Sequence, residues 1–334
     1  MAHGGPDAQG VPAHDFSSNG NACGPCPLVQ AAVQQADLAR YPEPTYTALR
    51  KALADFHGVG AESVLIAASA SEFITRMTAA VAQRGARSVW VPRYSYLDYE
   101  RAARAWDLQV LRGANASEDD AQLLWCCDPS SPLGQAQPGL VGAVDRLAAA
   151  SVCVLDLAYE PLRLSGSTSL DATQCQRVWQ LWTPNKALGL TGVRAAYAIA
   201  PAGAESLVAR MEALAPSWPI GADGVAMLTY WVGDEAQRWL ADSLVTLREW
   251  KESQVALCHG LGWTCLASDT NFFCARLATR QEPTVLLASL REAGIKLRDA
   301  SDLGLRNHVR MAVLPPASQR VLARALMRNL RPKA

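Results

Sequence analysis

Between residues 63 and 200 the chain alternates short apolar runs with longer stretches in which apolar residues recur every three or four positions. Seven runs have the length of strands: Ser63 to Ala67, Ser88 to Val91, Leu108 to Leu111, Gln122 to Cys127, Ser151 to Asp156, Val178 to Leu181 and Ala195 to Ala200. Strands spaced by helical stretches predict an α/β protein with a mainly parallel sheet. One such stretch opens at Ser71-Glu72 and sets Phe73, Ile74, Met77, Ala80 and Val81 on one face, the spacing of a helix lying against a sheet. Pro216-Ser217-Trp218-Pro219-Ile220-Gly221 then breaks the pattern. The expected organisation is an N-terminal arm over 1–30, a large domain over 31–220, and a linking helix with a smaller α+β domain over 221–334. That smaller domain is expected around Asn271-Phe272-Phe273, Gly294 to Leu297 and His308 to Val313.

Composition narrows the function classes. With 334 residues, half of them hydrophobic, the chain can bury a sizeable core. Its 31 basic and 31 acidic residues cancel, which argues against nucleic acid or an anionic membrane surface as a partner, so an anionic ligand must be met by local arginines. No apolar run approaches the roughly 18 residues of a membrane helix, and the first residues lack a leader's charged start and apolar segment, so a soluble cytoplasmic protein is expected. The nine cysteines, an odd number in a chain of ordinary size, read as free thiols. Cys23-Gly24-Pro25-Cys26 spells a thioredoxin-type redox motif, yet the residues before it are turn-like rather than a strand, and no second Cys/His pair completes a zinc set.

The chemistry is concentrated in Thr183-Pro184-Asn185-Lys186-Ala187-Leu188-Gly189-Leu190-Thr191-Gly192-Val193-Arg194. A lysine in a small, glycine-containing stretch between two apolar runs is an amine placed for Schiff-base chemistry with pyridoxal phosphate. Asp156, closing the run Val152-Cys153-Val154-Leu155, supplies a carboxylate to keep a pyridine nitrogen protonated. The backbone amides of Ala70 and Ser71, at a helix start, suit a phosphate.

These residues resemble the fold-type I pyridoxal-phosphate enzymes, the family of aspartate and histidinol-phosphate aminotransferases, over nearly the whole chain. The resemblance implies an aspartate-aminotransferase-like fold, with Lys186 carrying pyridoxal 5′-phosphate and Thr183 and Arg194 holding its phosphate. It further implies that Tyr94 stacks on the cofactor and that Tyr159 donates to its phenolic oxygen. Tyr41, in Arg40-Tyr41-Pro42, is implied to reach the phosphate of a neighbouring subunit in a homodimer. Arg310 is implied to grip the substrate carboxylate, with Asn19 and Arg298 as neighbours. Two departures stand out: Ala67 and Ser69 replace glycines of the phosphate loop, and Ser131, in Asp128-Pro129-Ser130-Ser131-Pro132-Leu133-Gly134, replaces an asparagine that donates to the phenolic oxygen.

His3-Gly4-Gly5, Asp15-Phe16-Ser17-Ser18-Asn19, Gly24-Pro25 and Arg40-Tyr41-Pro42 resemble, in that order, the cobalamin-pathway branch of the family, the L-threonine-O-3-phosphate decarboxylases. That resemblance implies an arm folded over the site, His3 on the phosphate of a small phosphorylated amino acid, and decarboxylation to (R)-1-aminopropan-2-yl phosphate. The alternative is an aminotransferase of the histidinol-phosphate type, and behind both stands a degenerate, non-catalytic relative.

Overall fold

The computed structural model describes residues 4–113, 120–278 and 282–330; His3 lies outside them. The first part of the chain holds β1 (His14–Asp15), α1 (Pro27–Gln34), α2 (Thr47–His57), β2 (Val64–Ala67), α3 (Ala70–Gln83), β3 (Ser88–Val91), α4 (Leu97–Ala105) and β4 (Gln109–Arg112). Next come β5 (Leu123–Cys127), α5 (Leu140–Asp145), β6 (Val152–Asp156), α6 (Ala172–Cys175), β7 (Trp179–Trp182), β8 (Ala196–Ile199) and α7 (Glu205–Ala213). After α8 (Ala222–Trp231) and the 27-residue α9 (Asp234–Gly260) follow β9 (Thr264–Cys265), β10 (Phe272–Arg276) and α10 (Pro283–Glu292). The chain then runs through β11 (Ile295–Lys296), β12 (Arg298–Asp299), β13 (His308–Ala312) and α11 (Pro316–Leu330).

All seven strands expected between 63 and 200 are present and form one sheet of order β2-β8-β7-β6-β5-β3-β4. Pairing is parallel from β7 through β6, β5 and β3 to β4, while β8 is antiparallel to both β7 and β2. Only β3 keeps its expected bounds; the other six differ by one residue at one or both ends, and at two starts the reason is visible. Ser63 spends its amide on Gly60 in a tight turn, and Leu108 spends its amide on Ala103 to close α4.

Every residue of β2, β3, β5 and β8 is buried, as a sheet covered on both faces requires. On one face lie α3, α4 and α7; Phe73, Ile74 and Met77 of α3 are fully buried there, each contributing about 1.5–3 kcal/mol. Leu140 and Val144 of α5 pack on the other. A further core joins Phe272 and Phe273 of the second, four-stranded sheet (order β12-β13-β10-β9) to Leu247 of α9, Trp231 of α8 and Phe16 of the arm.

Because β8 reverses direction twice over, β2 runs the same way as β5, β6 and β7. The carboxyl ends of those four strands therefore meet at one edge, together with the start of β8. In open α/β sheets that edge is where ligands bind.

The arm crosses from one sheet to the other. β1 pairs in parallel with β11, Ala312 donates to the Phe16 carbonyl at 2.8 Å, and Asp7 bridges Arg291 and Lys296 at 2.8 and 3.0 Å. Further along, Asn21 accepts nothing from the lysine loop but donates to it twice: its amide reaches the Lys186 carbonyl at 2.8 Å and its Nδ2 the Ala187 carbonyl at 3.0 Å. Gly189 sits at φ +68°, and a Cβ there would lie 3.1 Å from the Cα atoms of Gly24 and Pro25, so the two backbones touch only because both positions lack bulk.

Candidate active site

At the shared edge lies a cavity of about 250 Å³. Lys186, from the loop after β7, lines it and donates from Nζ to Thr183 Oγ1 at 3.3 Å, with Nζ 5.3 Å from the centre of the Tyr159 ring. Asp156 ends β6 on the same cavity, 4% exposed. Tyr99 donates to its Oδ2 at 2.6 Å and the Ala158 amide to its Oδ1 at 3.0 Å. Burial pushes the Asp156 carboxyl above its ordinary value, against the lowering effects of Tyr99, the Lys186 charge and the Ala158 amide. Burial, and then the adjacent carboxylate, push the Tyr99 hydroxyl far up, so it stays the donor of that pair.

The sign of the Asp156 shift has a measurable consequence. A carboxyl raised in the folded state costs stability above its folded pKa, and the cost vanishes as pH falls toward the unfolded value near 3.8. Asp156→Asn is therefore expected to raise the melting temperature of the cofactor-free protein at neutral pH by about 1–3 °C, with Tyr99 turning to accept from the new amide. Calorimetry across pH 4–8 checks this: the gain must shrink toward acid.

At the other end, Ser69 caps α3 by accepting from the Glu72 amide at 3.1 Å, and Ala70 and Ser71, in the first turn, line the cavity ahead of the first intrahelical bonds. The missing loop glycines cost nothing in backbone strain, since Ser69 is extended at φ −174°. Thr183, Ser131 and the exposed Arg194 line the cavity too. Arg310 enters from β13: its Nη2 donates to the Ser17 carbonyl at 3.1 Å, its guanidinium lies 5.8 Å from the Phe272 ring centre, and its buried Nε has no partner.

Four expected residues do not line the cavity, although Arg298 stands opposite Arg310 on the neighbouring strand as its expected neighbour. Tyr94 does not line the cavity; it lies half-buried under the Arg93 guanidinium, packed against Leu303 and Leu305, because the turn after β3 carries it toward residues 301–305. Tyr96, two residues on, lines the cavity instead and shares a 3.1 Å hydrogen bond with Ser71. Arg298 is turned to Asp302, both of whose oxygens take its Nη2 at 2.8 Å, so its charge is spent there. Asn19 stands behind the wall, donating from Nδ2 to Tyr159 Oη at 3.3 Å. Tyr41 is 78% exposed on the outer surface, stacked on Trp218 at 4.3 Å, clear of this chain's own cavity.

Sequence reasoning overlooked Tyr96, Tyr99 and Asn185. The Tyr96-x-x-Tyr99 spacing at a helix start following a strand was the available signal for the first two. Asn185 lines the cavity with its Oδ1 buried and unpartnered. The Cys23–Cys26 pair is not disulfide-bonded, and burial raises both thiols, the reverse of a redox-active motif. None of the nine cysteines is in a disulfide. Among the described residues no His/Cys/Asp/Glu cluster could hold a metal, and no helix is long and apolar enough to cross a membrane.

An amine, a buried carboxylate, a helix N-terminus with an arginine, and a second arginine thus converge on one cavity. The donor set fits pyridoxal phosphate: among the described residues Asp156 has no cationic partner in direct contact, and the α3 start and Arg194 line the same cavity as groups suited to an anion. The histidinol-phosphate aminotransferase of Symbiobacterium thermophilum is 28% identical over 337 residues, covering 94% of this chain and 90% of that protein. The histidinol-phosphate aminotransferase from Sinorhizobium meliloti, solved in complex with pyridoxal-5′-phosphate, superposes with a TM-score of 0.84 at 20% identity, covering 99% of this chain and 96% of the other. The L-threonine-O-3-phosphate decarboxylase from Porphyromonas gingivalis superposes with a TM-score of 0.76 at 21% identity, covering 90% and 94%. Residues 13–326 match the family aminotransferase class I and II, and the chain belongs to that family.

Proposed function

We propose that this protein is a pyridoxal-phosphate-dependent aminotransferase of the histidinol-phosphate type. The observation that carries the cofactor is the convergence of Lys186, Asp156, Arg194 and the α3 N-terminus on one cavity. Bound there, pyridoxal phosphate supplies a protonated ring that accepts the electrons of a broken bond to the substrate's α-carbon. The residues do the rest. Asp156 holds the ring nitrogen's proton, the amides of Ala70 and Ser71 with Thr183 and Arg194 hold the phosphate, and Tyr159 presents a hydroxyl to the phenolic oxygen. Lys186 Nζ would carry the cofactor and would serve as the base that moves a proton at the substrate's α-carbon.

Sequence relatives over nine-tenths of the chain favour transamination over the decarboxylation that the N-terminal motifs suggested. With Arg194 on the cofactor and Arg298 clasped by Asp302, Arg310 is the one lining arginine, among the described residues, left for the substrate. It would take the anionic head group of the amine substrate, and the carboxylate of a 2-oxo acid in the return half-reaction. The decarboxylase remains the second reading on the order of the arm's motifs and the structural likeness at TM-score 0.76.

The deciding experiment presents cofactor-loaded protein with histidinol phosphate alone, then with 2-oxoglutarate. Conversion of the cofactor to its amine form, reversed by the oxo acid with glutamate appearing in equal amount, is the expected result. Carbon dioxide from threonine phosphate without that conversion overturns the proposal. Arg310→Lys keeps the charge but loses the planar fork, and is expected to raise KM about 10–100-fold with a smaller change in kcat.

We further propose a homodimer in which Tyr41, exposed and stacked on Trp218 at 4.3 Å, reaches the partner's site.

A further inference from the structure

Asn19 is 5% exposed, and among the described residues its one side-chain hydrogen bond runs from Nδ2 to Tyr159 Oη at 3.3 Å, its Oδ1 being buried without a partner. Its backbone is held from behind. Nδ2 of the fully buried Asn271 donates to the carbonyls of Asn19 and Gly20 at 3.3 and 3.0 Å. The Tyr159 ring is fixed as well, edge-on to Phe272 at 4.7 Å. A phenol has a single proton beside its lone pairs. With one lone pair taken by an amide N–H, that proton turns elsewhere, and the open direction is the cavity that Tyr159 lines.

We propose that Asn19 is a positioning residue: by donating to Tyr159 Oη it keeps the tyrosine's proton turned into the cavity, available to the cofactor's phenolic oxygen. The inference rests on the cofactor reading above. Ser131, which lines the same cavity, has only a short hydroxyl and does not reach as far as an amide side chain, so the tyrosine's direction matters more here.

The consequence is spectroscopic. A donor on the phenolic oxygen competes for it with the proton of the adjacent nitrogen that joins cofactor to lysine, and so lowers the pH at which that nitrogen loses its proton. The visible absorption of the loaded enzyme, titrated without substrate, reads this midpoint directly. Asn19→Asp reverses the bond, because a carboxylate accepts the hydrogen bond of the tyrosine's O–H and turns it away from the cavity, and is expected to raise the midpoint by about one pH unit. Tyr159→Phe is expected to raise it by a similar amount, and Asn19→Asp to add nothing in the Tyr159→Phe background. Asn19→Leu, uncharged and near in volume, gives a smaller rise in the same direction and serves if the aspartate variant does not fold. Midpoints unchanged in both Asn19 variants overturn the proposal, as does an equal shift from Asn19→Asp with and without the Tyr159 hydroxyl. A wild-type protein with no pH-dependent cofactor absorption overturns the cofactor reading itself.

Discussion

Lys186→Ala is expected to lower turnover by roughly 10²–10⁴-fold while leaving the unloaded fold intact. The side chain makes one hydrogen bond, to Thr183 Oγ1, and is only half-buried, so its removal strands no buried donor or acceptor of consequence. What would be lost, on the proposed function, is the amine that carries the cofactor and moves the proton. Two measurements separate these roles. Borohydride treatment followed by mass analysis must attach cofactor to the wild type and not to the variant. Added ethylamine, small enough to occupy the vacated space, must restore part of the proton transfer. A variant that retains wild-type turnover, or whose unloaded melting temperature falls by many degrees, contradicts this assignment.

The largest effect on stability is expected at Arg163→Ala. Asp128 is fully buried at the end of β5, and Arg163 Nη2 lies 3.1 Å from its Oδ1 with the arginine side chain 6% exposed. Its remaining donors, from Thr168 and Ser169, are long, at 3.3–3.5 Å. Removing one partner of such a pair leaves an uncompensated buried charge, worth about 3–5 kcal/mol. Arg163 also bridges Glu160 at 2.8 Å, so the triple change Asp128→Asn, Glu160→Gln and Arg163→Met removes all three charges and is expected to recover most of that loss, because a buried ion-pair cluster compared with neutral groups of similar volume is close to even. Denaturant unfolding of the two variants checks it. Activity should fall with the single variant as well, since residues 128–134 carry Ser131 to the cavity wall.

Much of this molecule was legible in its sequence, and the physical reason is the sheet. Strands buried on both faces must be written as apolar runs, so β2 to β8 announced themselves, and Asp156 and Lys186 stood out as the polar residues at their ends. The short strands β1, β9, β11 and β12, two residues each, carry no such pattern because pairing partners distant in sequence define them. The misplacement of Tyr94 has a similar origin. Motif order gave an aromatic after β3, but which of Tyr94, Tyr96 and Tyr99 faces the cavity depends on how tightly the chain turns into α4. Arg298 is the cross-strand neighbour of Arg310, as expected, but two like charges opposite one another need an acid between or beside them, and Asp302, four residues on, takes the charge of Arg298.

The arm's route between the two sheets sets an order of assembly. His14 pairs with Ile295, Asn19 is held by Asn271, and Phe16 accepts from Ala312, so residues near the start of the chain find their partners only after nearly all the rest has been made. Closing so long a loop comes late and is entropically costly. On a ribosome the large sheet has every strand available while the arm still waits for β10, β11 and β13, and the lysine loop, lacking Asn21, is without two of its clamps during that interval. Docking of the arm and clamping of the lysine loop are therefore expected to come as one step, after β10, β11 and β13 are available.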